Sequence, residues 1–122
     1  MESKKKLIML VDDNPANLRI GKNVLSDKYT VATAPSAAKL FSLLENNQPD
    51  LILLDIDMPG MDGYGTIQAL KLSPDTKDIP VIFLTGMADP GEEEKGRALG
   101  AVDYVTKPFD PPALIASIEK HT

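Results

Sequence analysis

The chain has 122 residues, one domain's length, and its 43% apolar and 25% charged residues are a globular balance rather than a disordered one. With no cysteine and one histidine, His121, disulfides, thiolate chemistry and cysteine zinc sites are excluded, and a Ser-His-Asp triad or multi-histidine metal site is nearly so. Lys+Arg number 13 and Asp+Glu 18, a net charge of −5, so the domain is not expected to bind nucleic acid directly.

Leu7 to Val11 reads as a strand buried on both faces. Asn14-Pro15 then supplies a helix cap followed by proline at the first helical position. Leu18, Gly21 and Leu25, with Ile20 and Val24, are expected on the inner face of that helix. Tyr29 to Thr33 is a second, weaker strand. Ala37, Leu40, Phe41 and Leu44 follow helical spacing, and Asn46, Asn47 and Pro49 close that helix. Asp50 to Leu54 is the third strand, and a turn-rich stretch from Met58 to Gly63 leads into a helix through about Leu72. Val81 to Leu84 is the fourth strand. Asp89-Pro90 repeats the cap-and-proline signal, Glu92, Glu93 and Glu94 suit the first turn, and Gly100 ends the helix. Val102 to Val105 is the fifth strand, and Asp110-Pro111 opens a last helix with Leu114, Ile115 and Ile118 inward.

None of the apolar runs approaches the ~20 residues of a membrane helix. Lys4, Lys5 and Lys6 precede only a short apolar stretch that Asp12 interrupts, so no signal peptide is read here. A cytoplasmic chain with no membrane contact is the expectation. Strands alternating with helices imply parallel strands covered on both faces. The expected class is α/β: a single doubly wound (βα)5 flavodoxin-like sandwich, its five-stranded parallel sheet in the order 2-1-3-4-5, with a switch point between the first and third strands.

In a parallel sheet all strand C-termini emerge at one edge. The first strand ends in Asp12-Asp13, the third in Asp55, the fourth in Thr85, and Lys107 closely follows the fifth. Each alone reads as a cap, a turn residue or a surface charge, and Asp57 reads first as a turn residue. Their joint placement on the ligand-binding edge is what points to chemistry. Crowded carboxylates repel and attract a cation, and an all-oxygen donor set suits a hard one, Mg²⁺ above all. A carboxylate can act as nucleophile and form an acyl phosphate, while Mg²⁺, a lysine and a threonine hydroxyl neutralise or bind the phosphoryl oxygens. No glycine-rich phosphate loop is present, so nucleotide is not the obvious donor.

At this point the sequence resembles the receiver domains of two-component response regulators, a family that is itself a standard instance of the 2-1-3-4-5 order. The resemblance covers nearly the whole chain. It rests on Val11-Asp12-Asp13-Asn14, on Leu53-Leu54-Asp55-Ile56-Asp57-Met58-Pro59-Gly60-Met61-Asp62-Gly63, on Leu84-Thr85-Gly86, and on the segment Gly100 to Phe109 with its Lys107-Pro108. Each piece is weak alone; together, in this order, they are specific. The resemblance implies that Asp55 accepts a phosphoryl group from a phosphohistidine on a sensor histidine kinase or histidine phosphotransfer protein. Asp13 would hold Mg²⁺ directly, Asp12 largely through water, with Asp55 and the backbone carbonyl of Asp57 completing the protein ligands. Thr85 and Lys107 would bind the phosphoryl oxygens, and Tyr104 would change rotamer as Thr85 moves. Lys107-Pro108 resembles the family's cis peptide, which would aim the lysine inward. The surface around the fourth helix, fifth strand and fifth helix would then control an output partner or domain, with homodimer formation on phosphorylation among the family's habits. The protein would not be a turnover enzyme on an external substrate.

Some positions depart from the family's pattern. Gly65 stands where many members carry a larger residue, and glycine near a helix start costs about 1 kcal/mol relative to alanine. Asp57 adds a carboxylate beside the site, Met87 lies two residues past Thr85, and Pro111-Pro112 stiffens the start of the last helix. Two other readings stay open. Asp55-Ile56-Asp57 after an apolar strand imitates an aspartate-nucleophile phosphatase of the haloacid-dehalogenase type, although that family puts this motif on its first strand. An inert receiver that only docks is the other, against which stands the intact set Asp12, Asp13, Asp55, Thr85 and Lys107. Residues 1–122 are read as one receiver domain, either stand-alone or cut from a longer regulator or hybrid kinase.

Overall fold

The structure, a computed structural model, describes residues 5–56, 58, 62–86, 90–107 and 110–122. Its elements run β1 (Leu7–Val11), α1 (Pro15–Leu25), β2 (Thr30–Ala34), α2 (Ala37–Leu44), β3 (Leu51–Asp55), α3 (Gly63–Leu72), β4 (Val81–Thr85), α4 (Pro90–Ala98), β5 (Asp103–Thr106) and α5 (Pro111–His121). The strands form one parallel sheet in the order β2-β1-β3-β4-β5. This is the doubly wound order expected from the sequence.

The apolar runs make the centre of the sheet because side chains alternate between its faces. Ile8, Leu10, Leu51, Leu53, Ile82 and Leu84 pack with Leu25 of α1 and Leu114 and Ile118 of α5. Met9, Val11, Ile52, Leu54, Val81 and Phe83 pack with Leu40 of α2 and Ile67 and Leu70 of α3. Burying a side chain of this size contributes roughly 1.5–3 kcal/mol, so β1, β3 and β4, covered on both faces, carry most of the core.

The signals at Asn14-Pro15, Asp110-Pro111 and Gly100 mark helix ends as expected, Asp110 without a side-chain cap bond, while the cap at Asp62 was not singled out from the sequence. Asn14 caps α1 by accepting from the Ala16 amide at 2.9 Å, with Pro15 opening the helix. Asp62 caps α3 through the Gly65 amide at 2.9 Å. Gly100 has φ +115, a conformation that favours glycine, just past α4. Asp89 lies outside the described residues. Ile20 does not join the inner face of α1: it is 50% exposed, while Gly21 and Leu25 are buried. Successive helical residues are about 100° apart, which turns Ile20 away from the stripe of Leu18, Gly21 and Leu25.

Three strands are displaced by one residue toward the C-terminal edge of the sheet, and a fourth, β4, is extended by one. β2 and β5 start and end a residue later than the apolar runs, β3 spans Leu51–Asp55, and β4 reaches Thr85. Apolar runs mark burial, but ladder pairing continues through the polar residues that follow, with Asp55 opposite Leu84 and Thr85 opposite Thr106. Asp55 and Thr85 are thereby strand residues, held by the sheet.

Candidate functional site

The site is assembled by strand ends. Asp12 follows β1 directly, and its amide donates to the Ala34 carbonyl of β2 at 3.1 Å. Its side chain is buried, with Oδ1 accepting from the Asn14 amide at 2.9 Å. Asp13, next along, is exposed. Asp55 ends β3 and is buried. Asp12, Asp13 and Asp55 each bring one carboxylate oxygen to within 4.8 Å of the others. This cluster sits between β1 and β3, the switch point of the sheet.

Lys107 comes in from the end of β5. Its amide donates to the Thr85 carbonyl at 2.6 Å, and its Nζ lies 2.7 Å from Asp12 Oδ2 and 3.1 Å from Asp55 Oδ1. Burial works against its charge, but the hydrogen bonds and charges of Asp12 and Asp55 outweigh that and hold the ammonium above the ordinary lysine range. Among the described residues, no ion pair of Lys107 with Asp13 is formed. Three carboxylates against one ammonium leave excess negative charge at the solvent-facing mouth. That donor set, all oxygen and partly open to water, fits a hard divalent cation.

Thr85 is buried at the end of β4 on the same face as Phe83, two residues earlier. Tyr104, opposite Phe83 in the ladder, packs edge-to-face on it with ring centroids 6.1 Å apart. The structure thus brings Asp12, Asp13, Asp55 and Lys107 into one cluster, with Thr85 bonded through its carbonyl to Lys107 and Tyr104 one ring away from the face that Thr85 shares. Asp57, Met87 and Pro108 lie outside the described residues, and with them the Asp57 carbonyl and the Lys107-Pro108 peptide.

Several residues were not singled out by sequence. Gly63 opens α3 against the end of β3: a Cβ there would lie 2.6 Å from both the Asp55 carbonyl oxygen and the Ile56 Cα. Its amide donates to Ile56 O at 2.9 Å. Its place after the capping Asp62 was a local signal, but the close approach is a tertiary fact. Asp103 is a second case. Its Oδ2 accepts from Ser117 Oγ at 2.7 Å and meets His121 Nε2 at 3.2 Å, and its Oδ1 accepts from the Tyr104 amide and lies 3.5 Å from Arg97 Nη2. One carboxylate thereby joins α4, β5 and α5.

A family model for the response regulator receiver domain matches residues 8–119. The chain belongs to this family. The receiver is 43% identical over 114 residues to a probable cyclic di-GMP phosphodiesterase of Vibrio cholerae, covering 93% of this chain and 26% of that protein. It is 38% identical over 116 residues to the response regulator PleD of Caulobacter vibrioides, covering 94% of this chain and 26% of PleD. The receiver therefore spans about a quarter of the length of these curated relatives. The chemotaxis protein CheY4 of Vibrio cholerae superposes with a TM-score of 0.92 at 26% identity, over 97% of this chain and 99% of that one. The receiver domain of a sensor histidine kinase from Pseudomonas aeruginosa superposes with a TM-score of 0.87 at 28% identity, over 96% and 97%. That structure holds a magnesium ion in its active-site cleft. The family match sets aside the haloacid-dehalogenase reading, since the receiver's acid pair directly follows β1 and so precedes the Asp55 strand. The chain is a signal receiver of two-component systems. Among the described residues no helix is long and apolar enough to cross a membrane.

Proposed function

We propose that Asp55 is the phosphoacceptor, loaded from a phosphohistidine on a sensor histidine kinase or histidine phosphotransfer protein. A carboxylate oxygen of Asp55 attacks phosphorus, the P–N bond breaks, and the imidazole nitrogen leaves with the electron pair; an acyl phosphate remains on Asp55. The observation that carries the reading is the shared contact of Lys107 Nζ with Asp12 and Asp55. It puts a cation beside the acceptor oxygen, where negative charge accumulates during phosphoryl transfer. Asp12, Asp13 and Asp55 would hold Mg²⁺, which would supply further positive charge to the phosphoryl oxygens. Thr85, at the end of the adjacent strand, offers its hydroxyl to one of them. Tyr104 then repacks, and the surface made by α4, β5 and α5 passes the change to an output partner, an output domain or a second copy of the chain. A groove of about 480 Å³ between β5 and α5, lined by Tyr104, Val105, Ala113 and Ser117 among others, lies on that surface. Residues 1–122 act as one receiver unit in this scheme, in the cytoplasm, with no external substrate turned over.

The test is intact mass after incubation with acetyl phosphate and Mg²⁺. Wild type gains one phosphate and Asp55→Asn gains none. An Asp55→Asn protein labelled to a similar yield would remove Asp55 from the role, and an unlabelled wild type would favour the inert docking module.

A further inference from the structure

A stack of three rings underlies α4, and only one of them belongs to the switch already described. Phe83 is fully buried at the centre. Tyr104 of β5 meets it edge-on from one side at 6.1 Å and 80°, and Tyr64 of α3 from another at 5.6 Å and 74°. Helix α4 is pressed onto this stack at Gly96. A Cβ there would come within 2.7 Å of Phe83 Cδ2, 2.8 Å of Phe83 Cε2 and 3.4 Å of Tyr104 Cε2. The neighbouring residue, Lys95, sets its Nζ 4.2 Å above the centroid of the Tyr64 ring. Helix α4 thus touches Tyr104 by way of Gly96 and Tyr64 by way of Lys95.

Tyr64 is also tied to the phosphoacceptor strand. The residue before it, Gly63, donates to the Ile56 carbonyl and sits against the Asp55 carbonyl with no room for a side chain. With no side chain between them to repack, a displacement at the end of β3 would bear directly on the first turn of α3, and on Tyr64 with it.

We infer that Tyr64 is a positioning residue that carries a second signal from Asp55 to α4, through its ring contacts with Phe83 and Lys95, alongside the Thr85–Tyr104 route. The inference rests on phosphorylation of Asp55 as proposed above. The two routes start from different strands, β3 and β4, and converge on the same ring, Phe83. The chemistry of the link is that of an aromatic face and an ammonium, which requires a ring at position 64 and a cation at position 95, and does not require the tyrosine hydroxyl.

The experiment compares amide shift changes in α4 on adding beryllium fluoride, a phosphoryl mimic, with Mg²⁺, at occupancies matched by fluorine NMR. Five variants are used: Tyr64→Leu, Tyr64→Phe, Lys95→Ala, Thr85→Ala, and Thr85→Ala combined with Tyr64→Leu. The expected result is that Tyr64→Leu binds the mimic, keeps the shift changes at Asp55 and loses at least half of those in α4. Tyr64→Phe keeps the wild-type response. Lys95→Ala loses part of it, and the double variant loses whatever Thr85→Ala alone retains. A full α4 response in Tyr64→Leu overturns the inference, and so does an equal loss in Tyr64→Phe, because the ring would then be irrelevant. Should Tyr64→Leu not fold, Lys95→Ala decides, since Lys95 is exposed, and an unchanged α4 response there overturns it. Failure of the underlying reading looks different: wild type itself then shows no change at Asp55.

Discussion

Single side chains in this molecule are held by charge accounting, and Lys107 shows it best. Asp12 is fully buried, and one of its oxygens faces the Lys107 ammonium. Truncating one partner of such a pair costs more than the pair's net worth, because the other charge is left behind. Lys107 keeps some contact with water, so its loss in Lys107→Met should cost about 2 kcal/mol in metal-free buffer rather than the larger figure of a dry pair. Mg²⁺ should then restore more stability to Lys107→Met than it adds to wild type, since metal and lysine offset the same carboxylates. Thermal melts with EDTA and with Mg²⁺ test this; equal melting temperatures in EDTA would show that the contact contributes nothing. Asp103 is held differently. Burial pushes its carboxyl up, but Ser117, the Tyr104 amide and His121 outweigh that and bring it below its ordinary 3.8. A depressed folded value means stability that is present above the unfolded value and lost as pH falls through the folded one. Asp103→Asn should therefore be less stable than wild type by about 1–2 kcal/mol at neutral pH. That gap should close as pH drops below the usual carboxylate range, as followed by urea titrations at pH 7, 5 and 3. A gap that persists in acid would mean that shape, not charge, holds the α4, β5 and α5 junction.

At the scale of elements, two opposing effects meet at Gly96. Alanine in place of glycine within a helix gains about 1 kcal/mol from propensity. Against this stands the Cβ placed 2.7 Å from a Phe83 ring that Tyr64 and Tyr104 flank. Overpacking of a closed core typically costs 1–3 kcal/mol, so the clash should win and Gly96→Ala should melt several degrees lower than wild type. A higher melting temperature would show that α4 can lift from the stack at no cost. The same position explains what a sequence can and cannot disclose. The strands, the cap at Asn14 and the rim residues Asp12, Asp55, Thr85 and Lys107 were legible, because alternation, capping chemistry and the shared edge of a parallel sheet follow from local pattern and topology. Strand ends were misread by one residue where the ladder outlasts the apolar run. Ile20 was misread where hydrophobicity was taken for facing. The ring stack, the seat of Gly63 on Asp55 and the junction at Asp103 were not legible, since each is a distance between segments whose spacing in sequence carries no periodic signal.

The whole molecule is governed by the charge left over at the C-terminal edge of its sheet. Lys107 serves Asp12 and Asp55, so the exposed Asp13 adds a carboxylate to a cluster already in balance at best. A divalent cation that binds the folded state and not the unfolded one stabilises it by RT ln(1 + [L]/Kd), about 1.4 kcal/mol at roughly ten times Kd. The repulsion that Mg²⁺ would relieve in this cluster is the repulsion that opposes folding in its absence. Removing one charge should therefore act in both directions. Asp13→Asn should raise the melting temperature in EDTA, by a small amount because Asp13 faces water and its repulsion is screened. It should also abolish most of the Mg²⁺-induced rise. Raising the salt concentration in EDTA should narrow the difference between the two proteins, as screening does to exposed charges. Melts of both proteins in EDTA, in EDTA with added NaCl and in millimolar Mg²⁺ separate these effects. If Asp13→Asn melts below wild type in EDTA, Asp13 is holding the start of α1 rather than opposing its neighbours. If it keeps the full Mg²⁺ rise, the cation is held elsewhere on the surface.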